Sequence, residues 1–159
     1  MPEPVRVTLQ LPKIALMRPQ DAEPIIRQEV GQTLQAEVQG LTHAIKSETP
    51  VDTGVLRSSI VGTVRHGPGR YFTGQIAAGR QAPHAIYVEE GTRPHWPPIR
   101  ALEGWARRHG ISAFLVARAI SRRGTRAVRM FARNWDAWRP KWQPALDQAM
   151  RRVRERLTR

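Results

Sequence analysis

A chain of 159 residues with 26 Lys/Arg, 13 Asp/Glu and a formal charge of +13 has the size of one domain. At 40% apolar and 25% charged it lies outside the disordered and collagen-like classes. It holds no cysteine, which excludes a disulfide scaffold, a thiolate zinc site and a cysteine nucleophile, and no apolar run approaches the roughly 18 residues of a membrane span.

Met1 to Arg6 lacks the basic-then-apolar layout of a signal peptide, so a cytoplasm-like compartment is expected. Val5, Val7, Leu9 and Leu11 alternate with polar residues and predict a strand. Pro12 and Pro19 bracket an irregular stretch. Asp21 to Ser47 reads as a helix with Asp21 as N-cap, because Ile26, Val30, Leu34, Val38, Leu41 and Ile45 recur every three to four residues. Gly31 and Gly40 each weaken that helix by about 1 kcal/mol relative to alanine.

Thr49 to Gly54 is a turn: Pro50 fixes φ, Asp52 can bond nearby backbone N–H groups, and Gly54 can take positive φ. Leu56–Arg65 and Arg70–Ala78 are expected strands, separated by the breaker His66-Gly67-Pro68-Gly69. Ala85 to Glu89 is short and β-prone, which predicts a third strand of the same antiparallel sheet, stopped by Gly91 and Pro94. The Pro-rich stretch 93–98 is neither helix nor inner strand. Ile99 to His109 resumes helical spacing, with Gly110 as its stop. Ser112 is the expected cap of a helix Ala113–Arg123 with Phe114, Val116, Ala117 and Ile120 inward. Arg126 to Arg139 reads equally as loop or short helix. Trp142, Leu146, Met150, Val153 and Leu157 mark a final helix with Pro144 in its first turn.

The excess charge is uneven. Residues 1–99 carry ten Lys/Arg against nine Asp/Glu, whereas residues 100–159 carry sixteen against four. Fifteen of those sixteen are Arg, which suits bidentate contacts to carboxylates or phosphates. Such a segment can meet nucleic acid, an acidic membrane surface or an acidic protein.

Candidate chemistry is sparse. Asp52-Thr53-Gly54 spells the catalytic tripeptide of aspartic proteases, but those enzymes need two such carboxylates and an Asx turn explains the same residues. The five histidines form no HxH or HExxH pair. His84, His95, Glu89 and Glu90 lie close in sequence, yet a polar loop accounts for them without a metal. No phosphate-binding glycine loop or serine-nucleophile elbow is present. The stretch from Arg118 to Trp142 mixes Arg with Phe131, Trp135, Trp138 and Trp142, a composition that fits single-stranded nucleic acid, a protein hot spot, or a helix core with solvated Arg.

Three ordered blocks carry a resemblance. They are Pro50-Val51-Asp52-Thr53-Gly54 with Leu56 and Ser58-Ser59; Tyr87 to Thr92 with His95 and Pro97-Pro98; and Trp105 to Ile111 leading to Phe114, Ala117 to Ile120 and Gly124-Thr125. Together they resemble the tail-component or neck-protein family of long-tailed bacteriophages, which includes minor tail proteins of the tail-completion type. The resemblance covers about residues 21–157. Its order of long helix, hairpin, Glu-Gly-Thr strand end and C-terminal helix agrees with the elements read above, and the expected fold is α+β: a small antiparallel sheet packed against a long N-terminal helix and a C-terminal helix, with an inserted helical Arg/Trp-rich segment. Residues 1–20 would be an N-terminal strand or arm, and 21–159 a single domain containing the basic segment 100–159.

The implied role is structural, not enzymatic, with no cofactor and no metal: a virion protein of the neck or tail, made in the host cytoplasm. It would act in head–tail joining or tail completion. Expected partners are further copies in a six-fold ring, head-closure or connector proteins, tail-terminator or tail-tube proteins, and DNA in the lumen. Pro50, Asp52, Thr53, Gly54, Gly91, Thr92, Pro97 and Pro98 are the expected turn-forming residues. Glu89, Glu90, Arg93, Trp96, Arg122, Arg123, Trp135, Trp138, Arg151 and Arg152 are the candidate interface. The alternative is a basic nucleic-acid-binding protein using the C-terminal third. Steep loss of duplex-DNA affinity with salt would support that alternative.

Overall fold

The stripe from Ile26 to Ile45 lies along one helix, α1 (Pro19–Glu48), and all six of its apolar positions are buried. The computed structural model describes residues 6–10, 19–67 and 72–158. After β1 (Arg6–Gln10) and α1 come α2 (Val55–Ser59), β2 (Ile60–His66), β3 (Phe72–Ala78), α3 (Ala85–Glu90), α4 (Ile99–Arg108), α5 (Ala113–Arg123) and α6 (Met130–Leu157). The fold is α+β, as expected. The outer ends of the first strand (Val5, Leu11), the irregular stretch 11–18 and the breaker residues Pro68 and Gly69 lie outside the described residues. Asp21 is not the N-cap of α1, because the helix already begins at Pro19.

The sheet has the order β1-β3-β2 and is antiparallel throughout. β3 is central: Ile76 pairs with Gly62 on one side and Val7 on the other. Ile60, Phe72 and Ile76 are buried, and α1 packs across β2 and β3. The N-terminal strand is therefore part of the sheet and supplies its third member, a place the sequence assigned to Ala85–Glu89.

That segment is the helical turn α3. Ala85 and Glu89 are buried while Tyr87 between them is 54% exposed. A strand would put all three on one face, whereas a helix puts the first and last together. The expected strand from Leu56 also begins later. Val55–Ser59 forms α2, launched by Gly54 at φ 81°, and β2 starts at Ile60. Leu56 and Ser59 are buried at helical spacing.

The largest correction concerns the C-terminal segment. Met130 to Leu157 is one helix of 28 residues, and Pro140 and Pro144 lie inside it rather than at its start. A proline removes one backbone bond and crowds the carbonyl four residues earlier. Here those carbonyls belong to Asp136 and Pro140, which with both prolines are on the exposed side, where water can solvate them. The other side holds the helix to α1. Phe131, Leu146, Ala149 and Val153 are buried, and Trp135, Trp138, Trp142 and Met150 pack against the same core.

The two long helices run antiparallel, and polar pairs mark their register. Glu48 meets Arg133 at 2.5 Å, Trp138 Nε1 donates to Glu37 at 2.6 Å, and Glu29 receives Arg152 and Arg156, each at 2.8 Å. Gly40 lies directly under the Trp138 ring, whose nearest atoms would be 2.9 Å from an added Cβ. Its helix-weakening absence of a side chain is what lets the indole seat. Arg152, a candidate interface residue, also donates to Thr33 and is thus engaged within the chain. The same holds for Trp135 and Trp138, which are half-buried in the seam between α1 and α6 because their spacing follows its apolar face.

Candidate functional site

Between α3 and α6 the chain leaves the body and returns. The exit is Gly91-Thr92 and the return is Gly124-Thr125. Thr92 and Thr125 exchange both backbone N–H···O=C bonds at 3.1 Å, and their hydroxyls bond to each other at 3.1 Å. Gly91 sits at φ 71°, ψ −173° and Gly124 at φ 69°, ψ −159°. This backbone region is essentially reserved for glycine. A Cβ on Gly91 would overlap the Thr125 carbonyl, and one on Gly124 the Thr92 carbonyl. Two identical dipeptides thus clasp the base of an arm formed by the Pro-rich loop, α4 and α5.

The arm has little core of its own. Ala106 and Ala117 are the only buried side chains of α4 and α5, which pack on each other and meet the other elements sparsely. Pro97 is also buried, in the loop that leads into α4 at Pro98. Trp96 (53% exposed), Phe114 (51%) and Leu115 (58%) remain in water, with Trp105 and Ile111 also exposed. Trp96 and Phe114 meet edge to face at 5.8 Å, and Trp105 stacks on His109 at 4.2 Å. Phe114 therefore faces outward, against expectation, with its ring against Trp96. Ser112 stands at the N-cap of α5 in extended backbone, but its hydroxyl makes no capping bond.

The arm is tied to the body at a second point. Arg108 closes a two-pronged ion pair on Asp52, with Nε donating to Oδ1 at 2.8 Å and Nη2 to Oδ2. The side-chain bond from Arg108 holds the Asp52 carboxyl below its ordinary range, and the same bond pushes Arg108 up. Asp52 thus serves as a tether for α4 and not as the Asx-turn acceptor the sequence suggested. A carboxylate with both oxygens on a guanidinium is poorly placed to share a proton with a second aspartate, as protease chemistry requires.

Glu89 is also turned inward. It is 6% exposed and accepts from the backbone N–H of Phe131 at 3.0 Å and of Ala132 at 2.9 Å. These are the second and third residues of α6, whose own N-cap, Arg129 at φ 56°, offers no side-chain acceptor. Glu89, a candidate for the subunit interface, therefore caps α6 within the chain. Glu90, its neighbour, is exposed, as are Arg93, Trp96, Arg122, Arg123 and Arg151.

The structure relocates the basic surface. From Arg93 to Arg129 the chain has nine Arg and one acid, Glu103. Only Arg108 among these nine has an acidic partner among the described residues. On α6, by contrast, Arg133, Arg152 and Arg156 pair with α1, and Asp136, Asp147 and Glu155 intersperse the rest. The surplus is on the arm.

Where the arm meets α3 there is an open groove of about 790 Å³, bordered by the Pro-rich loop and by Leu102 and Ile120 of the arm. His84 and His95 line it too, but no group of three or more His, Asp or Glu converges as metal ligands among the described residues. No described helix is long and apolar enough to cross a membrane. The arm's location was not legible in the sequence, but one signal was present: the repeated Gly-Thr at 91–92 and 124–125, whose pairing the sequence did not suggest. Compared with protein-family models, with curated proteins and with solved structures, the chain matches none.

Proposed function

We propose that the protein is a structural virion component of a tailed bacteriophage, acting without catalysis in head–tail joining or tail completion at the neck. In this reading several copies form a ring between the head connector and the tail tube. The resemblance of the three ordered sequence blocks supplies the phage assignment. The observation that carries an assembly role is the arm, which exposes Trp96, Phe114 and Leu115 beside unpaired Arg. Full burial of a large apolar side chain is worth about 1.5–3 kcal/mol, and with each of these about half exposed a covering partner surface recovers up to about half of that. Aromatic residues with Arg are the usual make-up of protein hot spots. A second point of support is the stiffness of the arm's base, since Pro94, Pro97 and the glycine clasp limit the entropy lost on docking.

Sedimentation of the purified protein, alone and mixed with connector and tail-tube proteins of the same phage, tests the proposal. A defined multimer or a stable mixed complex is expected. A monomer under both conditions overturns it. The excess of nine Arg over one acid in residues 93–129 favours a second reading, contact with nucleic acid. Retention on duplex DNA that falls steeply with log salt would support that reading, and binding with no such slope would remove it.

A further inference from the structure

We propose that the groove between α3 and the arm is a docking slot for an extended acidic segment of a partner protein, one that inserts bulky apolar side chains. The inference deepens the assembly reading and rests on it only in assigning the segment to an assembly partner.

The walls define the apolar half of this specificity. Tyr87 and Val88 of α3, Pro94, Leu102, Ile120 and Val128 line a space of about 790 Å³. That volume lies in the range of sites that enclose a ligand, roughly 300–1,000 Å³, and so has room for a few peptide side chains. Two walls are held in place before anything binds. Val128 donates its N–H to the Val88 carbonyl at 2.9 Å, and the Thr92–Thr125 clasp closes the arm's base beside it.

Charge defines the other half. Arg93 and Arg126 line the same groove, both are exposed, and neither has an ion-pair partner among the described residues. No acid lines it. Among the acids near it in sequence, Glu89 caps α6 and Asp52 holds Arg108, while Glu90 and Glu103 are exposed and do not line the groove. A segment entering here meets an apolar floor under uncompensated cations, which selects carboxylates on either side of its apolar residues.

A second copy of this chain is a poor occupant. Among the acids whose side chains are described, those with no hydrogen-bond or ion-pair partner are Glu90, Glu103, Asp136 and Glu155, and each copy brings a further +13. Single-stranded nucleic acid is disfavoured by shape chemistry. Of the large aromatic rings only Tyr87 lines the groove, beside His84 and His95, while Trp96 and Trp105, the better stacking platforms, lie outside it.

The test is selection of a displayed library of random dodecapeptides on the intact protein, followed by anisotropy of the best labelled peptide. Enriched peptides are expected to be acidic with Leu, Phe or Trp among the acids. Arg93→Glu with Arg126→Glu should weaken the best peptide by at least about tenfold, while Arg139→Glu with Arg151→Glu, outside the groove, changes it by less than about twofold. If the first pair does not fold by circular dichroism, Arg93→Gln with Arg126→Gln replaces it, with the same direction expected. Leu102→Asp should also weaken binding. Enrichment of neutral or basic peptides, no enrichment, or equal loss from both charge pairs overturns the proposal. So does displacement of the peptide by an oligonucleotide whose own binding depends on Leu102. Ring formation measured on the same groove variants separates the two ideas: intact rings without peptide binding remove the slot alone.

Discussion

Replacing Glu89 tests whether this residue serves the fold or an interface. Its carboxylate is the acceptor for two N–H groups at the start of a helix of 28 residues. No residue of the first turn of α6 is acidic, and Arg129 at the N-cap position contributes no side-chain bond. Loss of an N-cap side chain costs about 0.5–2 kcal/mol. A buried donor left without a partner costs about 1–3 kcal/mol. The Phe131 N–H is at a buried residue and the Ala132 N–H at a partly buried one, so Glu89→Ala should destabilise by about 2–4 kcal/mol. Glu89→Gln keeps one acceptor but loses the charge facing the helix dipole, for about 1–2 kcal/mol. A protein of this size shifts its midpoint by about 2–4 °C per kcal/mol, so Glu89→Ala should melt about 5–15 °C lower. Thermal and urea unfolding followed by far-UV circular dichroism measure it. If Glu89→Ala melts with the parent while multimer formation is lost, Glu89 acts at an interface and the capping argument is wrong.

Gly124→Ala forces a side chain into φ 69° and onto the Thr92 carbonyl, at a cost of about 1–3 kcal/mol for the backbone alone. Hydrogen-exchange protection of α4 and α5 should fall more than that of α1, and equal protection in mutant and parent would refute the clasp. Asp52 has its carboxyl held low by Arg108, so the tether is complete above the ordinary aspartate range and is lost as pH falls through the lowered folded value. Arm protection, corrected for intrinsic exchange, should therefore be flat from pH 7 to about 5 and drop below about 4. Asp52→Asn should abolish that drop, and a dependence that survives the substitution assigns it to another group. Trp138→Phe removes the bond to Glu37 and the ring over Gly40, and should cost about 1–3 kcal/mol in urea unfolding; no change would mean the indole does not organise the α1–α6 seam.

The legible parts of this fold are those whose determinants lie close in sequence. Six apolar residues from Ile26 to Ile45 specify a helical face by themselves, and they are buried as that spacing requires. The illegible parts depend on remote partners. Ala85 to Glu89 has strand-like residues, yet Glu89 caps a helix that begins 41 positions later, and only a helical turn buries Ala85 and Glu89 together while leaving Tyr87 exposed. Asp52 looks like a turn residue until Arg108, 56 positions on, takes both its oxygens. Pro140 and Pro144 argue against a continuous helix locally, and the apolar side of α6 against α1 outweighs them. Among the candidate interface residues, Trp96, Arg93, Arg122 and Arg123 stay at the surface because α4 and α5 have nothing large to cover them. Trp135, Trp138 and Arg152 do not, because α1 offers both apolar and acidic partners along one face.

That division explains how a strongly basic chain folds at all. Like charges destabilise a compact state through self-repulsion, so a surplus is tolerated best where the core does not depend on it. The seam between α1 and α6 uses Arg133, Arg152 and Arg156, each matched to an acid on α1. The unmatched Arg sit largely on the arm, whose own burial is limited to residues such as Ala106, Ala117 and Pro97 and whose attachment is a backbone clasp plus one ion pair. Repulsion there strains a peripheral element and leaves the sheet and long helices untouched. An acidic partner seated against the arm would relieve that strain and cover Trp96, Phe114 and Leu115 in the same step. Stability of the arm should therefore rise more on partner binding than stability of the body. Hydrogen exchange of the complex against the free protein reads this directly, and uniform protection across α1 and α5 would contradict it.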